Sequence, residues 1–311
     1  MVSTEYRHGF AIDTMGLAMK TRQAGYKVMV EVGAYDGEDA WNMMNNLNSE
    51  VFSFEPSKRN FDRCQQSYPP AQHPRLHFVN AAASAADGVA EFTDTGGTGA
   101  CLGCAAGRDG DVDAAGAAIR VRTVRLESAP ELRGRLGDVG AVKIDTQGHE
   151  PLVFEGMQKW LTSPEAPPMV MFEFDVCLMR SAGIGKAQVM AMLQSLVDAG
   201  YTLGDGPVSD YESRFYAYQA MEGADKTLQD FEKVAQRKGE FEAALLKKRS
   251  EMTALRPTGC EELVDWYCPA GRDPGAPRTY TDMLAVKPRG HVETVPGFFR
   301  GTTKTRPPPD F

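Results

Sequence analysis

The chain has 311 residues, which is enough for one large α/β domain or two modest ones. Hydrophobic residues make up 42% of it, so a sizeable core can form. The formal net charge of -8 argues against nucleic acid as the main partner, because such a chain repels phosphates.

No apolar run approaches the roughly 20 residues of a membrane-spanning helix, and the first residues lack the pattern of a signal peptide. The six cysteines are scattered along a chain too long to need a disulfide framework. The sequence therefore predicts a cytoplasmic protein without a membrane partner, in which the cysteines are free thiols.

Predicted strands and helices alternate after a polar N-terminal segment at residues 1–25. The run VMVEV is apolar and is followed by glycine, which is typical of a strand buried on both faces. Predicted strands lie at 28–32, 50–56, 76–81, 88–94, 118–126, 140–148 and 167–175. Predicted helices lie at 38–47, 57–67, 152–161 and 186–199, the second with Ser57 as its N-cap. This alternation predicts an α/β fold with a doubly wound, mostly parallel, Rossmann-like sheet.

The chain changes character after the predicted core at 26–208. Residues 209–280 are highly charged and then rich in Pro, Gly and Cys, and they predict a helical and irregular insertion. The segment TDMLAVKPR returns to an apolar pattern, so residues 281–300 are predicted to hold the last strand of a seven-stranded sheet. Residues 301–311 are predicted to be a disordered tail.

The segment EVGAYDG stands where the first predicted strand turns into the first helix. Glycines there, Gly33 and Gly37, let a backbone approach a ligand closely. The spacing is not G-x-G-x-x-G, so a pyrophosphate site is poorly supported. The acidic residues Glu31 and Asp36 suit a cationic ligand such as S-adenosylmethionine, which carries an ammonium and a sulfonium. The alternative is a strand-to-helix turn that binds no ligand.

An acidic residue, Glu55, ends the second predicted strand. A carboxylate in this position can accept hydrogen bonds from both hydroxyls of a ribose, in NAD or in S-adenosylmethionine alike. The alternative is a solvated strand end.

The segment KIDTQGHE, residues 143–150, lies at the end of the fourth core strand, where the chemistry of this fold takes place. Asp145 is predicted to face the cofactor and to take part in catalysis. His149 is predicted to remove a proton from an attacking hydroxyl, since its ordinary pKa is near neutrality. The alternative for His149 is a structural hydrogen bond at the start of a helix.

In this order, EVGAYDG, FEP, NAAAS, VKIDTQGHE and MFEFD resemble the FkbM family of S-adenosylmethionine-dependent methyltransferases. The resemblance covers about residues 28–200 and the last strand, and it implies a class I methyltransferase fold. It implies in-line methyl transfer to a hydroxyl of a sugar or small-molecule metabolite. The cofactor contacts predicted with it are Glu31, Gly33, Tyr35, Asp36, Gly37, Glu55, Asn80, Ala81 and Asp145. Gln147 and His149 depart from the family pattern, which concerns the substrate more than the cofactor.

Other functions remain open from the sequence. A nicotinamide-dependent oxidoreductase and a non-catalytic binding protein are the two alternatives to methyl transfer. No metal ligand is assigned: Cys101 and Cys104 lack a matching second pair for zinc, and a divalent cation between Asp145 and Glu173 is possible but unsupported. The charged segment at 228–255 is predicted to be a solvated face, or else a lid or a contact in a homodimer.

Overall fold

The computed structural model describes residues 26–47, 49–95, 100–102, 117–205 and 281–286. The predicted N-terminal segment, the insertion at 209–280, the tail and most of the Gly-rich stretch after Asp94 lie outside these residues. The domain boundaries predicted from the sequence stay predictions.

The described residues form eleven strands and six α-helices, numbered here in chain order. The strands are β1 Val28–Val32, β2 Glu50–Phe54, β3 Leu76–Val79, β4 Ala82–Ala83, β5 Gly88–Asp94, β6 Cys101–Leu102, β7 Ala117–Val124, β8 Val139–Ile144, β9 Met169–Phe174, β10 Thr202–Asp205 and β11 Thr281–Val286. The helices are α1 Glu38–Leu47, α2 Lys58–Ser67, α3 Glu150–Glu155, α4 Gln158–Thr162, α5 Val176–Ser181 and α6 Lys186–Asp198. The main strands and helices predicted from periodicity are present, with ends that differ by a few residues.

The main sheet has the strand order β10-β11-β9-β8-β1-β2-β3. Five adjacent strands, from β9 to β3, run parallel, whereas β11 pairs antiparallel with β9 and β10 antiparallel with β11. The predicted α/β fold with a mostly parallel sheet is therefore confirmed. A second sheet, which the sequence did not predict, has the order β4-β7-β5-β6.

Helices cover both faces of the main sheet. The larger core packs β1, β2, β8 and β9 against apolar residues of α3 to α6, including the fully buried Phe154 and Trp160. The smaller core packs the opposite face against Met43 and Met44 of α1. Within the described part of the chain, no helix combines the length and apolarity that a bilayer crossing requires.

The single helix predicted at 152–161 is two short helices, α3 and α4, separated at Gly156. The backbone of Gly156 lies against the Ser84 carbonyl: a Cβ added there would stand 2.0 Å from the oxygen. This close approach between the helix and the segment after β4 ends α3, and periodicity alone does not reveal it.

The cysteines differ from the prediction. Cys101 and Cys177 each take part in a disulfide. Cys64 is free and buried, and its thiol lies 3.6 Å from the Tyr35 carbonyl. The prediction of free thiols therefore holds for Cys64 and is wrong for the other two, because composition does not show which cysteines the fold brings within bonding distance.

Candidate active site at the carboxyl edge of the sheet

The order of the main sheet places a crevice next to β1. From β1 the chain builds outward through β2 to β3, and it then returns to place β8 and β9 on the other side. Ligands of doubly wound sheets bind where the order reverses, at the carboxyl ends of the strands. The turn after β1 and the segments after β2, β8 and β9 meet at this edge.

The two faces of the central strands differ in polarity, because successive side chains point to opposite faces. One face is largely apolar and carries Val28, Val30, Val32, Phe52, Phe54, Val142 and Ile144. The opposite face begins with Met29, Val51 and Ala141 and continues toward the crevice with Glu31, Ser53 and Lys143. The register aligns Glu31 with both Ser53 and Lys143, so a buried polar row crosses the sheet beneath the crevice.

Gly33 is required by the protein's own backbone. Its φ is +95°, and a Cβ added there would lie 1.9 Å from the Asp145 carbonyl oxygen. Gly37 has a φ of +79° and faces the ring of Phe78, whose Cζ would be 2.8 Å from an added Cβ. The structure shows that the two glycines pack against the Asp145 carbonyl after β8 and against Phe78 of β3. Their predicted contact with a cofactor stays a prediction.

The amide groups of this turn are committed within the protein. The N–H groups of Gly33 and Ala34 donate to the Phe54 carbonyl at 2.9 and 3.3 Å, and that of Tyr35 donates to Glu55 Oε2 at 2.8 Å. The N–H of Gly37 donates to the Ala34 carbonyl at 2.8 Å. A pyrophosphate site needs such groups aimed at the ligand, so the turn does not form one.

Glu55 is 4% exposed and ties the turn to the end of β2. Its Oε2 accepts the Tyr35 N–H, and its Oε1 accepts the Ser57 N–H at 2.8 Å. Burial raises the pKa of Glu55 to about 7, although both backbone hydrogen bonds favour the charged form. Glu55 therefore holds the turn after β1 against the end of β2, and its contact with a cofactor stays a prediction.

Tyr35 lies in the turn between β1 and α1 and has an uncommon backbone conformation. Its φ is +52°, and its ring stacks 4.7 Å from the Arg63 guanidinium. Arg63 also donates to the Tyr35 carbonyl at 3.0 Å, which fixes the turn against α2. Asp36 lies two residues before α1, and its Oδ1 accepts the N–H of Glu38, the first residue of that helix, at 3.2 Å.

Asn80 and Ala81 follow β3 beside Glu55. The Asn80 amide donates to the carbonyls of Glu55 and Pro56 at 2.9 and 3.1 Å, and Ala81 is fully buried. Asn80 thus holds the end of β2 in place. The predicted packing of this segment on an adenine stays a prediction.

A buried ion network lies under the crevice around Lys143. Its ammonium is 2.6 Å from Asp39 Oδ2 and 3.5 Å from Glu31 Oε1, and the Ser53 hydroxyl donates to Glu31. Burial raises the pKa of Glu31 to about 7, and the Lys143 charge opposes this shift. Burial alone would lower the pKa of Lys143, but the carboxylates of Asp39 and Glu31 outweigh it and raise that pKa. Glu31 is thus engaged by the protein beneath the site, and its predicted cofactor contact stays a prediction.

Asp145 and Glu173 come together at the ends of β8 and β9, as the sequence suggested. The Gln147 amide nitrogen lies between them, 2.8 Å from Asp145 Oδ1 and 3.0 Å from Glu173 Oε2. Among the residues with described positions, no group of three or more His, Cys, Asp or Glu side chains is arranged to hold a metal ion. The two carboxylates are therefore joined through an amide.

Glu150 shapes the turn that carries Gln147. Its Oε1 accepts the N–H and the hydroxyl of Thr146 at 2.8 and 2.9 Å and the N–H of Gly148 at 3.2 Å. Burial raises the pKa of Glu150 to about 7, and its Oε2 is buried without a hydrogen bond among the described residues. The sequence motif at residues 143–150 contains Glu150 without indicating this role, and in the structure its carboxylate holds the turn together.

His149 is 6% exposed and precedes α3. Its Nε2 lies 3.0 Å from the Ser84 hydroxyl, and burial lowers its pKa to about 4. The ring is therefore neutral near pH 7, as a base must be, but it is a weak one and is held by Ser84. The structural alternative weighed for His149 is the arrangement observed, and a catalytic role stays a prediction.

His149 is expected to make folding stability depend on pH below neutrality. Its pKa falls from an ordinary 6.5 to about 4, so between these values the unfolded chain binds a proton that the folded chain does not. Stability should therefore fall as the pH drops through this range, by about 3 kcal/mol from this residue. Urea unfolding of the wild type and of His149→Gln at several pH values measures it.

Glutamine is the matched control, because it stays neutral and can still hydrogen-bond Ser84. The carboxyls of Glu31, Glu55 and Glu150 titrate in both proteins and cancel in the difference. The wild type should lose stability relative to the variant as the solution is acidified. A difference that stays constant with pH would contradict this account of His149.

The fold and site define the class of protein: a doubly wound α/β domain with an acidic crevice at the switch between β1 and β8. The chain matches the family model of the methyltransferase FkbM domain over residues 31–202, more than half of its 311 residues. The chain belongs to this family, and the resemblance inferred from its motifs is confirmed. No curated protein matches the sequence.

Several solved structures are distantly similar. A precorrin-6y C5,15-methyltransferase from Geobacter metallireducens has 11% identity and a TM-score of 0.31, covering 61% of this chain and 72% of its own. The [4+2]-cyclase SpnF has 11% identity and a TM-score of 0.36, covering 89% and 80%. A putative sarcosine dimethylglycine methyltransferase from Galdieria sulphuraria has 9% identity and a TM-score of 0.37, covering 88% and 84%. Likenesses this distant do not assign an activity.

Proposed function

We propose that the chain is an S-adenosylmethionine-dependent methyltransferase that methylates a hydroxyl of a sugar or small-molecule metabolite. The observation that carries the proposal is the chemistry of the crevice edge. Asp36, Glu55, Asp145 and Glu173 stand after or at the end of four adjacent strands, while the turn amides are already bonded. Such an edge attracts a cation and offers no cradle to a pyrophosphate.

The residues present fit this cofactor. A carboxylate has about four acceptor positions, so Glu55 can accept a ribose hydroxyl beside the N–H groups of Tyr35 and Ser57. The acidic edge matches the ammonium and sulfonium charges. When bound, S-adenosylmethionine supplies an electrophilic methyl group. The protein then has to orient the acceptor and remove its hydroxyl proton. Alignment of this kind lowers the activation barrier by roughly 7–11 kcal/mol at best.

Asp145 is the base that the geometry favours. It is half-buried, its Oδ1 accepts from Gln147, and its Oδ2 accepts from none of the residues described. Oδ2 would accept the proton that an acceptor hydroxyl loses when the methyl group passes to its oxygen and the bond from that methyl to the sulfonium sulfur breaks. His149, by comparison, is buried and bonded to Ser84. The carboxylate therefore has the stronger support of the two predicted catalytic residues.

The proposed cofactor is tested by calorimetric titration with S-adenosylmethionine and, separately, with NAD. The Glu55→Gln variant should bind S-adenosylmethionine at least about tenfold more weakly, since it loses one acceptor oxygen and a charge. Glu50→Gln is the matched control: Glu50 begins the same strand at the opposite edge and pairs with Arg135 at 2.7 Å. Its affinity should equal that of the wild type.

The outcomes separate the three candidate functions. Binding of NAD in place of S-adenosylmethionine would favour the oxidoreductase, against the evidence of the committed turn amides. Binding of S-adenosylmethionine without turnover on any of a panel of sugars and hydroxylated metabolites would favour a non-catalytic binding protein. Equal affinities for the Glu55 and Glu50 variants would remove Glu55 from the site.

The partners and the cellular location of the protein are separate proposals. An acceptor among small molecules or sugars, a homodimer and the absence of a nucleic-acid or membrane partner stay predictions from the sequence. A cytoplasmic location stays one as well, and the bonded Cys101 and Cys177 weigh against it, because disulfides are rare in a reducing cytosol.

A further inference from the structure

The Gln147 side chain joins the two carboxylates at the reactive end of the crevice. A primary amide nitrogen has two hydrogens, and here one is directed to Asp145 Oδ1 at 2.8 Å and the other to Glu173 Oε2 at 3.0 Å. These carboxylates follow or end neighbouring parallel strands, β8 and β9. Without a donor between them, two carboxylates this close would repel each other.

The backbone holds Gln147 in this position at an energetic cost. Its φ is +56°, a region that non-glycine residues seldom adopt, and such strain persists only where the surroundings impose it. Glu150 imposes it from one side by accepting three hydrogen bonds from Thr146 and Gly148. Gly148 imposes it from the other: its φ is +101°, and an added Cβ would lie 2.6 Å from the Leu178 backbone.

We propose that Gln147 is a positioning residue for methyl transfer, whose amide bridges Asp145 and Glu173 where other sites use a divalent cation, leaving Asp145 Oδ2 to receive the acceptor's proton. This inference rests on the proposed function. One hydrogen bond to each carboxylate fixes the orientation of both side chains, so the amide holds Asp145 and Glu173 in place.

The chemical class of the residue at this position then decides whether the site needs a metal ion. Glutamate at position 147 would place a third carboxylate beside Asp145 and Glu173, and three oxygen ligands of this kind bind divalent cations. The amide instead supplies two N–H donors, which occupy Asp145 Oδ1 and Glu173 Oε2, the oxygens that a divalent cation between the two carboxylates would use. Methyl transfer by this chain is therefore expected to proceed in the presence of a chelator.

The test uses the full chain and two isosteric variants, Gln147→Met and Gln147→Glu. Gln147→Met removes both donors, so it should bind S-adenosylmethionine with unchanged affinity and turn over about 10–100-fold more slowly. The loss should fall on kcat, with the Kd for S-adenosylmethionine unchanged, because Asp145 loses the hydrogen bond that orients it. Gln147→Glu should bind Mn²⁺ in calorimetry without cofactor or acceptor, whereas the wild type should not.

Each result bears on a different claim. Unchanged kcat in Gln147→Met, with the wild type active, would overturn the role of Gln147. Mn²⁺ binding by the wild type, abolished by Glu173→Gln, would overturn it as well, whether or not an acceptor is known. A wild type that does not bind S-adenosylmethionine would refute the proposed function. A gain of Mn²⁺ binding in Gln147→Glu, absent from the wild type, would still support the bridging role of Gln147.

Discussion

Alanine in place of Gly33 is expected to destabilise the domain by about 4 kcal/mol or more, enough to unfold many domains. A Cβ at this position would lie 1.9 Å from the Asp145 carbonyl oxygen, which is backbone and cannot rotate away. The same carbonyl belongs to the residue whose N–H donates to the Val32 carbonyl at 2.9 Å. Relief of the clash therefore requires β1 and β8 to separate at the crevice.

Gly183→Ala is the matched control for this prediction. Gly183 has a φ of +82°, close to the +95° of Gly33, but nothing lies within 4 Å of an added Cβ. It should lose only the about 1–2 kcal/mol that a left-handed conformation costs an alanine. Urea unfolding of both variants gives the comparison. Similar losses in the two would show that backbone conformation alone, without the contact to Asp145, accounts for the glycine.

Gly33 also shows what the sequence could and could not predict. The sequence placed a glycine at the end of the first strand and predicted a close approach there, which is correct. The sequence does not show that the approaching group is part of the protein's own backbone, and the predicted contact of Gly33 with a cofactor stays a prediction. The approaching group, the Asp145 carbonyl, lies more than a hundred residues further along the chain.

The candidate site likewise contains residues that could be predicted from the sequence and contacts that could not. Glu55 and Asp145 could be found because each ends an apolar strand, and strand ends of a parallel sheet share one edge. The contacts of Lys143 with Asp39 and of His149 with Ser84 could not, since they join residues 104 and 65 positions apart. Position 147 was recognised only as a departure from the family pattern, and its strained backbone gives no signal in the sequence.

Lys143→Met is expected to lower the free energy of unfolding by about 3–5 kcal/mol at pH 8. The substitution preserves most of the side-chain volume but leaves the fully buried Glu31 carboxyl without its countercharge. Since burial already raises the pKa of Glu31 to about 7, loss of the ammonium should raise it further. A carboxyl with a raised folded pKa loses stability as the pH rises through that pKa, so the loss should be smaller at pH 6 than at pH 8.

Two further variants make this prediction specific to the buried pair. Lys58→Met removes an exposed ion pair with Asp62 and should change stability by less than about 0.5 kcal/mol. Adding Glu31→Gln to Lys143→Met removes the stranded charge and should recover part of the loss, most of all at high pH. A loss that is the same at both pH values and is not relieved by Glu31→Gln would mean that Lys143 contributes through packing alone. In that case the ion pair between Lys143 and Glu31 in the polar row beneath the crevice would not stabilise the fold.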